Sequence, residues 1–335
     1  MYQRYYGFRE LPFELTPNPK YLYLTPKHRE ALSNLEYGLF ASKSITVLIG
    51  EAGTGKTTLL RAALESERCT HVRCVYLNNP ALTREEFVRM LASRFSLGTE
   101  AATSKAVFLD DLERLLRERR ERGEITALVV DEAQSLSHEL LEELRLLANI
   151  ETADDKLLPL VLAGQPELAA RLEDSTLRQL KQRVALRCDV APFDFLETAT
   201  YIAHRLRMAG GTPARLFTRE SVSLIHEHSG GIPRTINVIC DNALVSAMAL
   251  ERQRVDRAIV MEVCRDFALR RRQALVPVPA VEGEPLGNEP LRREEPPRRP
   301  VEADPATLGE VVVAKARRFT LFGRAAAGTN RGQVE

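Results

Sequence analysis

The octapeptide GEAGTGKT at residues 50–57 has the residue types and spacing that suit binding of phosphate groups. Its glycines would let backbone N–H groups wrap a phosphate, and a helix that begins there would add the positive end of its dipole. The lysine would reach β- and γ-phosphate oxygens, and the next threonine would offer a hydroxyl to Mg²⁺. A structural glycine-rich turn is the alternative. The predicted contributors are Gly50, Glu51, Ala52, Gly53, Thr54, Gly55, Lys56, Thr57 and Thr58.

Two acids, Asp131 and Glu132, directly follow the apolar stretch ALVV at residues 127–130. Acids at the end of a buried strand are costly unless a cation or another partner meets them. Beside a phosphate-binding loop the evident cation is Mg²⁺, so we expect Asp131 to hold the ion through water and Glu132 to polarise an attacking water. The expected ligands of this site are therefore ATP and Mg²⁺.

Two amide side chains come at the ends of other apolar stretches. Gln165 ends LVLAGQ, where it would bind the γ-phosphate or orient the attacking water; capping of a helix that begins at Pro166 is the alternative. Asn79 ends YLNN and would hold Glu132 inactive through a side-chain hydrogen bond, with Asn78 nearly as suitable. Asparagine before proline is also ordinary in turns, so this role and a turn both stay open.

Two arginines complete the set of candidate catalytic residues. Arg234 in SGGIPRTIN lies in the first turn of a helix that Pro233 can start, from which it would reach the γ-phosphate. Arg183 in LRQLKQRVALR lies between the last helix and the last strand of the sheet domain, where it would face a neighbouring subunit in a ring. Arg178 is the second choice for that role. For Arg234 and Arg183, a solvated helix charge is the alternative.

Short β-branched, apolar segments that alternate with longer helical patterns must position these residues. This alternation is typical of an α/β fold with a parallel, helix-covered sheet. The predicted strands are 45–50, 72–78, 127–133, 159–165 and 185–190, and the predicted helices between them are 56–64, 84–95, 109–122 and 136–150. After Pro192 strand patterns stop, and helices are predicted at 195–210, 218–231, 233–250 and 254–271.

These patterns predict four parts of the chain. Residues 1–44 form an N-terminal extension and a first helix, 45–191 the nucleotide-binding domain, 192–271 a helical lid, and 272–335 a proline-rich linker with a basic tail. Eight prolines lie among charged residues between 276 and 305, a composition that favours disorder. The last 25 residues hold five basic residues and one acid, so they are either a solvated tail or a docking segment.

Composition excludes several classes of protein. Residues 271–335 hold 11 Lys/Arg and 9 Asp/Glu, which leaves 36 and 37 in residues 1–270, so the expected folded part is not basic. Five widely spaced cysteines without a C-x-x-C pair favour reduced thiols over a metal site or a disulfide framework. Because neither a signal peptide nor an apolar run of about 20 residues is present, we expect a cytoplasmic protein without a transmembrane segment.

With these residues assembled, the sequence resembles the AAA+ ATPases of the ExeA/GspA type, which serve general secretion and, in relatives, pilus and exopolysaccharide export. The resemblance covers about residues 1–268. It depends on the opening segment at residues 5–39, on GEAGTGKTTLLR, DEAQSL, LRQLKQRV and GGIPRTIN, and especially on the run from NIET to GQPEL. It implies a P-loop NTPase with an AAA+ αβα sheet domain and a small all-helical lid. It also implies these roles: Walker A for Lys56 and Thr57, Walker B for Asp131 and Glu132, sensor 1 for Gln165, sensor 2 for Arg234, and arginine finger for Arg183.

The resemblance implies partners as well. Subunits would form a ring or filament, and export-machine proteins would place the chain at the inner membrane. Larger members of the secretion branch continue into a membrane span and a peptidoglycan-binding domain, so the length of this chain leads us to expect a compact form similar to pilus or exopolysaccharide members. Transposition ATPases similar to TniB, TnsC and MuB share this core and coat DNA; the near-neutral residues 1–270 favour export over DNA binding.

Overall fold

The computed structural model describes residues 2–16, 19–78, 82–153, 155–267 and 269. Within them, five parallel strands form one sheet: β1 (Ile45–Gly50), β2 (Val72–Leu77), β3 (Ile125–Val130), β4 (Leu160–Gly164) and β5 (Val184–Val190). The order across the sheet is β2-β3-β4-β1-β5. Strands β1, β3 and β4 lie in the interior and are buried along their whole length, which is why their sequences are apolar without alternation.

Helices cover both faces of this sheet. The helices from the first residue to the last strand are α1 (Tyr2–Tyr6), α2 (Pro26–Phe40), α3 (Lys56–Leu64), α4 (Arg84–Arg94), α5 (Lys105–Glu121), α6 (His138–Leu147), α7 (Pro166–Leu172) and α8 (Arg178–Lys181). Successive strand residues point to opposite faces, so Leu128 and Val130 pack with α4 to α8, whereas Ala127 and Val129 pack with α2 and α3. The result is a three-layer αβα arrangement.

A helical part follows the sheet: α9 (Phe195–Met208), α10 (Pro213–Leu216), α11 (Arg219–Ser229), α12 (Pro233–Ala249) and α13 (Arg257–Asp266). It has a hydrophobic core of its own, and the N-terminal residues Tyr2, Phe8 and Phe13 are buried in that core. The N-terminal segment therefore packs with the helical lid, whereas α2 packs on the sheet. Which core each part of the extension joins was not predicted.

The predicted fold class is confirmed, with differences at element boundaries. Strand β1 and helix α3 have the predicted bounds, but α6 begins at His138 rather than at 136, because the Ser137 hydroxyl accepts a hydrogen bond from Leu140 N at 3.2 Å and caps the helix. Helix α5 begins four residues before its prediction, after the cap residue Ser104. Short helices such as α8 and α10 were not predicted.

Two further expectations concern the chain as a whole. All five cysteines are free, four of them buried and Cys74 partly buried. Across the part of the chain that the structure describes, no helix combines the length and apolar character that crossing a bilayer requires. The linker and basic tail predicted for 272–335 lie outside the described residues.

Candidate nucleotide-binding site

The loop between β1 and α3 has a backbone that only glycine adopts easily at two positions. Gly53 and Gly55 have φ values of +83° and +102°, in the left-handed region. At Gly53 a side chain would also lack room, since a Cβ atom there would lie 2.7 Å from Cβ of Arg234. The spacing of the glycines thus follows from the shape of the loop and from its contact with the lid.

Lys56 is the first residue of α3 and is buried. Its Nζ donates to the carbonyl oxygens of Gly50 at 2.8 Å and Glu51 at 3.1 Å. Burial lowers the pKa of the Lys56 ammonium, while the nearby Glu132 and Asp131 act in the opposite direction. The Lys56 ammonium is therefore bound by two neutral carbonyl oxygens of the loop. Phosphate oxygens of a ligand can take the place of these carbonyl oxygens.

Asp131 follows β3 and is buried beside the start of α3. Its Oδ2 accepts hydrogen bonds from Thr57 Oγ1 at 2.9 Å and from the Tyr76 hydroxyl at 2.7 Å, and its Oδ1 accepts one from Glu132 N at 3.0 Å. Burial and the hydrogen bond to Asp131 raise the pKa of Tyr76. A threonine hydroxyl and a carboxylate, which meet here, are oxygen donors of the kind that Mg²⁺ prefers.

Glu132 has a strained backbone, with φ 54° and ψ 38° in the left-handed region. Its Oε2 accepts hydrogen bonds from Gln134 Nε2 at 2.5 Å and from Gln165 Nε2 at 3.3 Å. Gln165 occupies the N-cap position of α7, but its side chain makes no capping hydrogen bond. The Gln165 side chain thus lies beside Glu132 and does not cap α7.

Arg234 lies in the first turn of α12, directly after Pro233. Its backbone N–H donates to the carbonyl oxygen of Gly53 at 3.2 Å, so the start of this lid helix contacts the phosphate-binding loop. The turn before it depends on Gly231, which has a φ of +74° and where a Cβ atom would lie 1.9 Å from the Phe193 carbonyl oxygen. The GGIPR sequence thus brings Arg234 to the same cavity as Lys56.

One cavity joins the loop, the lid and the N-terminal segment. Of the predicted residues, Gly53, Thr54, Gly55, Lys56, Thr57, Thr58, Glu132 and Arg234 line it; Gly50, Glu51, Ala52, Asp131 and Gln165 do not. The other side of the cavity was not predicted; its residues include five aromatic rings, one arginine and one amide: Tyr21, Tyr23, His28, Phe193, Tyr201, Arg205 and Asn237. Tyr21 and Tyr23 belong to the run YLYL at residues 21–24, which is a sequence signal for this side of the cavity.

The remaining candidates are Asn79 and the two candidate arginine fingers, Arg183 and Arg178. Asn79 lies outside the described residues, and its alternative Asn78 is exposed after β2. Arg183 precedes β5, whose first residue is level with Ile45 at the start of β1, whereas the phosphate-binding loop follows the other end of β1. That separation is roughly 17 Å along the strand. Arg178, at the start of α8, is exposed.

Comparison with known proteins agrees with this geometry. Residues 41–172 match the family model of the AAA domain. General secretion pathway protein A of Aeromonas hydrophila is 40% identical over 249 residues, which are 74% of this chain and 45% of that protein. The chain belongs to the ExeA/GspA type of AAA+ proteins. Because it spans less than half the length of that relative, the similarity assigns a family and not the whole relative's activity or partners.

Two solved structures have a similar fold. The ORC1 protein of Aeropyrum pernix, solved in complex with DNA, has a TM-score of 0.58 and 20% identity and covers 78% of this chain and 70% of its own. Cdc6p of Pyrobaculum aerophilum has a TM-score of 0.57 and 19% identity and covers 76% and 70%. At such identities the likeness supports the AAA+ fold alone.

Proposed function

We propose that this AAA+ protein binds ATP with Mg²⁺ and hydrolyses it. The observation that carries the proposal is the hydrogen bond of 2.9 Å between Thr57 and Asp131, which joins the two separate motifs beside the cavity that Lys56 and Glu132 line. Mg²⁺ is held in such sites by one or two protein oxygens together with substrate phosphates and water, which suits this donor set. Bound Mg²⁺ would neutralise charge on the β- and γ-phosphate oxygens.

Each residue has a separate task in this proposal. Backbone N–H groups of the loop and of the first turn of α3 bind the phosphates, and the Lys56 ammonium exchanges the carbonyl oxygens of Gly50 and Glu51 for phosphate oxygens. Glu132 takes a proton from the attacking water, and Gln165 orients that water or binds the γ-phosphate. Arg234 binds the γ-phosphate from the lid, so the lid responds to the nucleotide.

The proposed site is completed by a second copy of the chain. Lys56 lines the cavity, and bound Mg²⁺ would add positive charge there; an added arginine would stabilise the further negative charge that develops on the transferred phosphoryl group. Arg183 lies at the end of the sheet opposite to its own phosphate-binding loop, so we assign it to the γ-phosphate of a neighbouring subunit in a ring or filament. Arg178 is the alternative for this position.

For the biological role, we propose that ATP turnover is coupled to assembly of a secretion, pilus or exopolysaccharide export machine. The support is the similarity to General secretion pathway protein A. The protein would then work in the cytoplasm, beside the inner membrane through a partner. A DNA-coating role like that of the transposition ATPases is the second candidate, and the net charge of −1 over residues 1–270 argues against it.

The test of the enzymatic proposal is a pair of variants measured for ATP binding and for phosphate release. Lys56→Ala should abolish detectable nucleotide binding, whereas Glu132→Gln should bind ATP and lose turnover by about 10²- to 10⁴-fold. Lys27→Ala, at an exposed lysine of α2, is the matched control and should behave as wild type. Unchanged nucleotide affinity in Lys56→Ala would contradict the assignment of the phosphate-binding loop.

The two biological roles are separated by duplex DNA binding in the presence of ATP, measured between about 50 and 200 mM salt. The export role predicts weak or undetectable binding. Submicromolar affinity that falls steeply with salt would favour the transposition class.

A further inference from the structure

Gln134 contacts the proposed catalytic acid although it belongs to no motif role considered above. It lies in the short 3₁₀ helix Ala133–Ser135 that Glu132 starts, and its Nε2 donates to Glu132 Oε2 at 2.5 Å. Gln165 Nε2 donates to the same oxygen at 3.3 Å. Both amides therefore converge on Oε2, and among the described residues no donor is bonded to Oε1.

The orientation of the Gln134 amide is fixed by its other partner. Its Oε1 accepts a hydrogen bond from the backbone N–H of Gln165 at 3.1 Å. Since an N–H group only donates and a carboxylate only accepts, the oxygen must face Gln165 and the nitrogen must face Glu132. Gly164 leaves room for this contact, because a Cβ atom there would lie 3.0 Å from Gln134 Oε1.

The backbone of Gln134 is held as well. Arg171 Nη1, on α7, donates to the carbonyl oxygens of Gln134 at 2.8 Å and Leu136 at 2.6 Å. Arg171 of α7 thus holds the backbone after Glu132. The backbone N–H of Gln165, the N-cap residue of α7, holds the side-chain amide of Gln134. Movement of the Gln134 amide away from Glu132 would also disturb its hydrogen bond with the backbone N–H of Gln165, the N-cap residue of α7.

We propose that Gln134 is a positioning residue for Glu132, an inference that rests on the proposed ATP hydrolysis. Gln134 and Gln165 hold Oε2, so Oε1 is the oxygen that receives the proton. In that step the water oxygen bonds to the γ-phosphorus, the bond from phosphorus to the β–γ bridging oxygen breaks, and the water proton moves to Glu132 Oε1. The products are ADP and inorganic phosphate.

Gln134→Met tests the role, because methionine has similar length but no amide. We expect kcat for ATP to fall roughly 10- to 100-fold, with the affinity for ATP within about twofold of wild type. Gln134→Glu keeps the length and the acceptor for Gln165 N–H but replaces the donor with a second negative charge beside Glu132, so it should lose at least as large a factor. Gln253→Met, at an exposed glutamine after α12, is the control and should keep wild-type kcat.

A double-mutant cycle with Glu132→Gln separates positioning from a structural role. If Gln134 acts through the Glu132 carboxylate, Gln134→Met should lower the single-turnover rate in the wild-type background and cause no further loss in the Glu132→Gln background. Equal losses in both backgrounds, a raised kcat, or loss of ATP affinity in both Gln134 variants would overturn the proposal. Wild-type protein that binds ATP without turnover would instead contradict the proposed function.

Discussion

The two walls of the nucleotide cavity are built in different ways. The sheet wall takes Lys56, Thr57 and Glu132 from two short segments, each of which directly follows a strand. The lid wall takes its residues from positions spread between Glu14 and Asn237. The first wall therefore depends on local sequence, whereas the second depends on how distant parts of the chain pack.

Arg205 illustrates how the lid wall is assembled. Its buried guanidinium donates to the carbonyl oxygens of Pro12 at 2.5 Å and Glu14 at 3.2 Å and to the Tyr201 hydroxyl at 2.9 Å. It also lies over the ring of Tyr21, with 4.6 Å from Cζ to the ring centroid. One side chain of α9 thus fixes the N-terminal segment beside the cavity. The residues of the proposed chemistry therefore lie in contiguous motifs, whereas enclosure of the ligand requires contacts between distant parts of the chain.

The largest expected effect is on ATP turnover and concerns Arg183, which lines neither wall of the cavity. Arg183→Ala should keep ATP affinity and lose turnover by about 10³-fold or more, because an arginine on the γ-phosphate is typically worth that much. Mixing Arg183→Ala with Lys56→Ala should restore part of the activity, since each variant supplies the residue that the other lacks. Absence of recovery in mixtures shown to co-assemble would leave Arg183 without this role.

The second prediction concerns a substitution that disturbs the lid wall and leaves the sheet wall unchanged. Gly231→Ala places a Cβ atom 1.9 Å from the Phe193 carbonyl oxygen in addition to the strain at φ +74°, so we expect the free energy of unfolding to fall by about 3 kcal/mol and ATP affinity to fall with it. Gly123→Ala is the matched control, because Gly123 has a φ of +77° with nothing within 4 Å. It should cost only about 1–2 kcal/mol. Equal losses in thermal or urea unfolding would contradict the role of the Phe193 contact.

The smallest expected effect is on Mg²⁺ dependence and concerns Tyr76, which contacts Asp131 beside the sheet wall. Tyr76→Phe removes one of the donors to Asp131 Oδ2, so the Mg²⁺ concentration needed for half-maximal tightening of ATP binding should rise roughly tenfold. ATP affinity without Mg²⁺ should stay unchanged. Tyr37→Phe, at an exposed ring of α2, is the control. If Tyr76→Phe and Tyr37→Phe have the same Mg²⁺ dependence, Tyr76 has no part in holding Asp131 for the ion.

Much of the fold was determined by the sequence itself. Interior strands such as ITVLIG are buried on both faces, so their mainly apolar, β-branched character predicted β1 with its bounds. Helix starts depend on polar cap residues: Thr83 and Glu86 form a reciprocal capping box at the start of α4, and Ser137 moves the start of α6 two residues beyond its prediction. A prediction from apolar periodicity alone misses such shifts, because the caps are polar.

For the site, the sequence determined the residues whose chemistry depends on their immediate neighbours. Lys56 and Thr57 follow a strand and start a helix, and Asp131 ends a buried strand, so their types and places were readable in short stretches. Only the tertiary structure decided which other side chains join them. Tyr76 meets Asp131 across 55 residues because β2 lies beside β3, and Gln134 meets Gln165 across 31 residues because β3 lies beside β4. Arg205 reaches Pro12 across 193 residues because the N-terminal segment packs in the lid core. Apolar patterns specify that strands and helices form; which of them become neighbours is settled by burial of their shared faces, and those neighbours complete the site.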